Sequence, residues 1–326
     1  MLPPHRRDIM EQKQLITIVA VAAVAVVAII AVVALSGNGS DEKKVGIGTY
    51  IEFDVCGNLD DDRDAVGTMK LTIEDENDKQ FKIKIDYNIY ERSKDGTLSP
   101  FMVESKTDWT EKKDFPSSGK SQGFVNIDSN WGMIQAELFV DDDGDELSYT
   151  YMGIPIYYVS DYGDDDYLFM EATKTNLLSE PKGRDNPYSG VSFGLDGTMT
   201  DGKVSYEITI TETVLSETAT HYQVRLDCKY SGETISVKKW SSKEEGDFDG
   251  YVKIGTDTLT TEWGKLNTDI MFKKEYGTDK DDTIWAVDTE RYGPMPLKMV
   301  EHNEGVTTEM YLSFFKVNGK DYNPFE

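Results

Sequence analysis

The chain has 326 residues, of which 60 are acidic and 34 basic, for a formal net charge of −26. A surface this negative repels phosphate backbones and anionic headgroups, which excludes nucleic acid as a partner; solubility is its ordinary use. Three histidines and two cysteines leave few groups for imidazole, thiolate or zinc chemistry.

The first element is Leu15 to Leu35, read LITIVAVAAVAVVAIIAVVAL, with no charge and one hydroxyl, Thr17. As a helix it would span about 31 Å, the thickness of a bilayer's hydrocarbon core. Arg6, Arg7 and Lys13 precede it, opposed by Asp8 and Glu11. The positive-inside rule predicts residues 1–14 as a cytoplasmic tail, 15–35 as a transmembrane helix and the remainder outside. A cleaved signal peptide is the alternative, with Ala34 and Ser36 as small residues before a cut; the apolar run is longer than such peptides use. Residues 36–46, rich in Gly, Ser and charge, read as a flexible stalk. Asn38-Gly-Ser40 in it is a glycosylation sequon.

From Ile47 onward the period is two. Phe81-Lys-Ile-Lys-Ile-Asp-Tyr-Asn-Ile89 alternates without a break, as do Met69 to Ile73 and Val204 to Ile210. This predicts half-buried antiparallel strands. Turn signals punctuate them: Gly57-Asn58, Lys94-Asp-Gly96, Asp143-Gly144, Asp201-Gly202 and Ser231-Gly232. No amphipathic helix of useful length follows the apolar run. Cys56 falls in the polar phase of its segment and Cys228 in the apolar phase of its own. One thiol is expected outward and the other inward, which argues against a bridge that an exported location would permit.

The chain also repeats. Gln80-Phe-Lys-Ile-Lys-Ile-Asp86 matches His221-Tyr-Gln-Val-Arg-Leu-Asp227. Trp109, Asp114-Phe115 and Trp131-Gly132 match Trp240, Asp247-Phe248 and Trp263-Gly264; the tryptophans of each pair are 22 and 23 positions apart. Gly153-Ile-Pro155-Ile156 matches Pro294-Met-Pro296-Leu297, and Leu168 to Asn176 matches Met310 to Asn318. Five matches in one order predict a tandem duplication. The expected layout is an all-β exported region of two antiparallel sandwich or half-barrel domains, 47–178 and 190–326, joined by a linker at 179–189. The matched tryptophans are expected as core anchors, because Trp carries the largest apolar area.

A basic tail, an Ala/Val-rich anchor, an acidic stalk and duplicated β units resemble uncharacterised membrane-anchored surface proteins of archaea. The units ending in Pro155-Ile156 and Pro296-Leu297 are more loosely similar to the open half-barrels of bacterial lipoprotein carriers. Neither resemblance implies catalytic residues.

His5, His221 and His302 show no ligand spacing, and no Gly-x-Ser-x-Gly elbow, phosphate loop or Rossmann fingerprint is present. No catalytic residue and no cofactor are assigned. The acidic clusters Asp60–Asp62 with Asp64, Asp141–Asp143 with Asp145 and Glu146, Asp164–Asp166, and Asp281-Asp282 read as hairpin turns. Asp141, Asp143 and Asp145 are weak calcium candidates: their spacing suits an EF-hand start, but Glu146 and Met152 stand where that loop needs Gly and Glu. Tyr149, Tyr151, Tyr157, Tyr158, Tyr162 and Tyr167 crowd one region. They read first as β-sheet edge residues and second as an exposed platform for sugars or proteins. The expected role is non-catalytic: binding or structure at the cell surface, with a surface protein or polysaccharide as partner. A carrier of an apolar ligand in a curved sheet is the first alternative, and a surface-polymer hydrolase the second. An unfilled apolar concave face would mark the carrier.

Overall fold

The computed structural model describes residues 45–60, 63–111, 120–152, 154–161, 167–184, 186–243, 248 and 250–325. The apolar run 15–35 and the sequon at Asn38 lie outside the described residues. Among the described residues no helix is long and apolar enough to cross a membrane.

The described chain is all β. It divides at Arg184/Asp185 into two units. The first holds β1 (Tyr50–Asp60), β2 (Arg63–Glu76), β3 (Gln80–Ser93), β4 (Leu98–Glu111), β5 (Lys120–Ser129), β6 (Gly132–Val140), β7 (Glu146–Tyr151), β8 (Ile154–Asp161) and β9 (Tyr167–Thr175). The second holds β10 (Val191–Thr200), β11 (Ser205–Glu217), β12 (His221–Tyr230), β13 (Glu233–Ser242), β14 (Val252–Thr261), β15 (Gly264–Lys274), β16 (Asp281–Thr289), β17 (Gly293–Asn303), β18 (Val306–Val317) and the short β19 (Lys320–Asp321).

Each unit is one antiparallel sheet with the same strand order. The first runs β4-β3-β2-β1-β9-β8-β7-β6-β5 and the second β13-β12-β11-β10-β18-β17-β16-β15-β14. First and last strands pair at the centre, while two strands consecutive in sequence form the opposite edges. The described parts of the sequence matches fall at equivalent places in this order. Lys82 pairs with Trp109 on the β3–β4 ladder, and Gln223 with Trp240 on β12–β13. Irregularities recur too. Four ladders carry a register shift in both units: β1–β9 and β10–β18, β2–β3 and β11–β12, β5–β6 and β14–β15, β7–β8 and β16–β17. Pro155 and Pro296 each sit directly past the shift in the last pair of ladders, opposite Thr150 and Ala286. A proline cannot donate to a ladder, and a bulge is where a sheet interior tolerates one.

The alternation places Ile51, Phe53 and Val55 of β1, Leu71 and Ile73 of β2, and Phe81 and Ile83 of β3 inside the first unit, each no more than 4% exposed. Its strand β8 is buried on both faces. Tyr158 pairs with Met170, which pairs with Val55, on the inner face. Tyr157 lies on the opposite face with Phe169, at ring centroids 6.4 Å apart, and Tyr149 lies 5.5 Å from Tyr157.

Three readings are corrected. Gly57-Asn58 is not a turn but the interior of β1, where a Cβ on Gly57 would overlap the Tyr167 carbonyl oxygen; Gly197 of β10 has the same relation to Glu309. The tryptophans are not core anchors as a set. Trp109 is 46% exposed and Trp240 buried, and both project from the face opposite Phe81 and Val224, because their partners Lys82 and Gln223 do. Trp131 and Trp263 are half-buried in hairpin turns; the Trp131 indole donates to the Ser179 carbonyl at 2.8 Å. Finally, residues 179–184 are fastened to the first sheet. Arg184 pairs with Glu171 at 3.0 Å with both side chains largely buried, and the Lys182 amide donates to the Asn130 carbonyl at 2.8 Å.

Candidate ligand cavity of the second unit

The inner face of the second sheet is not closed by its own side chains. A cavity of about 360 Å³ lies against it. On one side it meets Val191, Phe193 and Leu195 of β10, Ile210, Glu212 and Val214 of β11, and Tyr222 and Leu226 of β12. On the other it meets Ile284 of β16, Met295 and Met299 of β17, and Met310 and Phe315 of β18. β12 and β16 are five places apart in the strand order, which in a flat sheet would separate them by about 24 Å. Side chains of both line one cavity, so the sheet curls.

Aromatic rings close it. Phe248 and Tyr251, from the connection between β13 and β14, meet edge to face at 5.9 Å. The Tyr251 hydroxyl donates to Asp282 at 3.2 Å. Burial first, and the Asp282 carboxylate second, push the Tyr251 phenol up to about 12, so it stays a neutral donor at ordinary pH. Tyr292, in the β16–β17 turn, lies 5.0 Å from Phe315 and 6.2 Å from Tyr188, and Tyr188 lies 6.0 Å from Tyr222. Burial raises the Tyr292 phenol as well. Leu226, 37% exposed, stands at the rim. Glu212 is the one carboxylate in the lining. It pairs across the sheet with Phe193 on one side and Leu226 on the other.

Such a space can hold a molecule. Ligand pockets run from about 300 to 1,000 Å³, and an engineered apolar cavity of about 150 Å³ already takes benzene. Three methionines in the wall suit a site that must adapt to an occupant, since the thioether chain has three rotatable bonds and a polarizable sulfur.

The residues singled out from sequence lie elsewhere. Asp141, Asp143 and Asp145 occupy the β6–β7 connection, where the Asp141 carboxylate accepts from the Gly144 and Glu146 amides at 2.8 and 3.1 Å, and Lys120 holds Asp142 at 2.9 Å. Among the described residues no group of three or more His, Cys, Asp or Glu is placed to hold a metal. His221 is buried with its Nδ1 2.8 Å from the Thr220 hydroxyl; His302 is exposed, 3.0 Å from the Thr307 hydroxyl. Asp64 is not a turn residue but a buried partner of Arg92 at 3.0 Å on β2, and Asp281 and Asp282 begin β16. Tyr149, Tyr157 and Tyr158 are buried, and Tyr151 and Tyr167 half-buried, so the described tyrosines of that region form no exposed platform. Cys56 and Cys228 are free thiols.

One readable signal was passed over. In Ile208-Thr-Ile-Thr-Glu-Thr-Val214 the apolar phase is broken once, by Glu212.

No family model matches the chain, and no curated protein matches it. Among solved structures, a protein of unknown function from the DUF3598 family of Nostoc punctiforme matches at 10% identity over 82% of this chain and 96% of that one, with a TM-score of 0.19. A likeness at that TM-score carries no argument about fold or function.

Proposed function

We propose that this is a non-catalytic binding protein held at the outer cell surface, whose second unit carries an apolar small molecule inside a half-barrel. The observation that supports it is the 360 Å³ cavity on the inner face of the second sheet, walled by aliphatic, aromatic and methionine side chains. The reading favours a carrier over a flat recognition platform, because Tyr149, Tyr157 and Tyr158 are buried and Tyr151 and Tyr167 half-buried. The surface location rests on the uncharged run 15–35 and the basic residues before it. Protease added to intact cells is expected to remove a C-terminal epitope; full protection would sink the location.

Each unit is one sheet with its own buried side chains, so residues 45–326 suffice for a binding test. Titration with the neutral fluorophore N-phenyl-1-naphthylamine is expected to saturate at one probe per chain, with a Kd on the order of micromolar. Leu226→Trp, which adds volume at a half-exposed rim position, is expected to weaken binding at least tenfold. Binding untouched by that substitution, or no saturable binding, would overturn the carrier. Turnover of esters, peptides or polysaccharides that is lost on replacing His221 or one carboxylate would overturn the non-catalytic part.

A further inference from the structure

We infer that the occupant of the cavity is a neutral, mainly apolar molecule with one carbonyl oxygen, and that the Tyr292 hydroxyl is the donor that holds this oxygen; the inference rests on the carrier reading above. Tyr292 lines the cavity and is 7% exposed. The turn and the neighbouring rings fix its place. Its amide donates to the Thr289 hydroxyl at 3.0 Å, and its ring packs 5.0 Å from Phe315, 5.9 Å from Tyr322 and 6.2 Å from Tyr188. The Arg291 guanidinium lies 5.6 Å from the ring centroid. Among the described residues nothing hydrogen-bonds the Tyr292 hydroxyl. The Tyr251 hydroxyl, by contrast, is already paired with Asp282. A phenol taken out of water without a partner costs folding free energy, and phenylalanine would give the same ring without that cost. A ligand oxygen within reach offsets it. Burial holds the Tyr292 phenol above its ordinary value, so at neutral pH the group stays protonated and can donate.

The rest of the lining sets size and charge. An apolar cavity of about 150 Å³ takes benzene, so at the same filling 360 Å³ takes about fourteen non-hydrogen atoms. Among the described residues no lysine or arginine lines the cavity, which leaves an anion without a counter-charge. Glu212, the one carboxylate of the lining, is already engaged within the protein, so a cation would compete for a group in use. Most of the remaining wall is valine, leucine, isoleucine, phenylalanine, proline and methionine, which offer apolar contact alone. A neutral body with a single acceptor matches such a wall.

Two probes of one skeleton isolate the hydrogen bond: benzophenone, a ketone of fourteen non-hydrogen atoms, and diphenylmethane, which lacks the oxygen. Each is competed against N-phenyl-1-naphthylamine on residues 45–326. Both are expected to displace the fluorophore, and Leu226→Trp to weaken both. Tyr292→Phe keeps the ring and its packing. It is expected to weaken benzophenone about fivefold, while diphenylmethane binds as tightly as before or tighter. Charged relatives of the ketone, 4-benzoylbenzoate and (4-benzoylbenzyl)trimethylammonium, are expected to bind at least tenfold more weakly than benzophenone. Benzophenone changed less than twofold by Tyr292→Phe, both probes weakened alike, displacement by diphenylmethane alone, or a charged relative that binds as tightly as the ketone would overturn the inference. The carrier would still stand, because diphenylmethane would still displace the fluorophore and Leu226→Trp would still expel it. If neither probe nor fluorophore binds, the carrier reading falls and this inference falls with it.

Discussion

Cys56 lies on the outer face of β1, in step with Asp54, opposite Phe169 and diagonal to Glu171, the partner of Asp54. Desolvation first, then the Glu171 and Asp54 carboxylates, push its thiol from 9.0 up to about 12. The unfolded chain releases that proton near pH 9 and the folded chain keeps it until about 12, so the unfolded state binds fewer protons across the window. Stability is therefore complete below pH 9 and falls as pH rises through it. Tyr87 and Tyr251, held up to about 12 chiefly by burial, extend the loss above pH 10. Because the side chain is only half-buried, the Cys56 contribution between pH 9 and 10 is at most about 1 kcal/mol. The urea midpoint is expected to drop across that interval, and Cys56→Ala to flatten the drop. An equally steep fall in the variant would refute the assignment. The same shift leaves little thiolate at neutral pH, which makes Cys56 an inert thiol.

At the scale of elements, the period of two announced the strands, and the five matched segments announced the repeat, because both depend on local pattern. What pattern could not convey is where neighbouring strands come close. Gly57 reads as turn punctuation, but its lack of a Cβ is needed mid-strand against the Tyr167 carbonyl. Pro155 and Pro296 stand in matched segments, and each fits past a bulge that exists only once two strands are paired. The tryptophans illustrate the opposite error. Their size suggested a core, and Trp240 is buried, but the parity of Lys82↔Trp109 sets Trp109 on the outer face at 46% exposure. The hairpins were more legible. Ser231-Gly232 has φ of 51° and 87°, the paired positive values that a two-residue turn demands. The cavity was legible only as an alternative, since a curled sheet and a filled one share the same alternation. Glu212 was its single local sign.

At the scale of the whole chain, the two units share a strand order and differ in how well they are filled. Of the twelve largest fully buried side chains among the described residues, eleven belong to the first unit and Phe315 alone to the second. Burying a large aliphatic or aromatic side chain is worth about 1.5–3 kcal/mol. The second sheet therefore holds together on fewer deep contacts, beside its cavity. Opening free energies follow local burial, so the units are expected to differ in amide exchange. Peptides from β10–β12 and β16–β18 should exchange faster than their counterparts from β1–β3 and β7–β9. A ligand that binds the folded second unit alone adds RT ln(1 + [L]/Kd), about 2.7 kcal/mol at a hundredfold excess over Kd. Saturating N-phenyl-1-naphthylamine should thus slow exchange in the second unit by up to about a hundredfold and leave the central strands of the first unchanged. Mass-resolved exchange with and without that probe measures both. Slower exchange in the free second unit than in the first would contradict the filling argument, and protection spread evenly over both sheets would place the bound molecule somewhere other than the cavity.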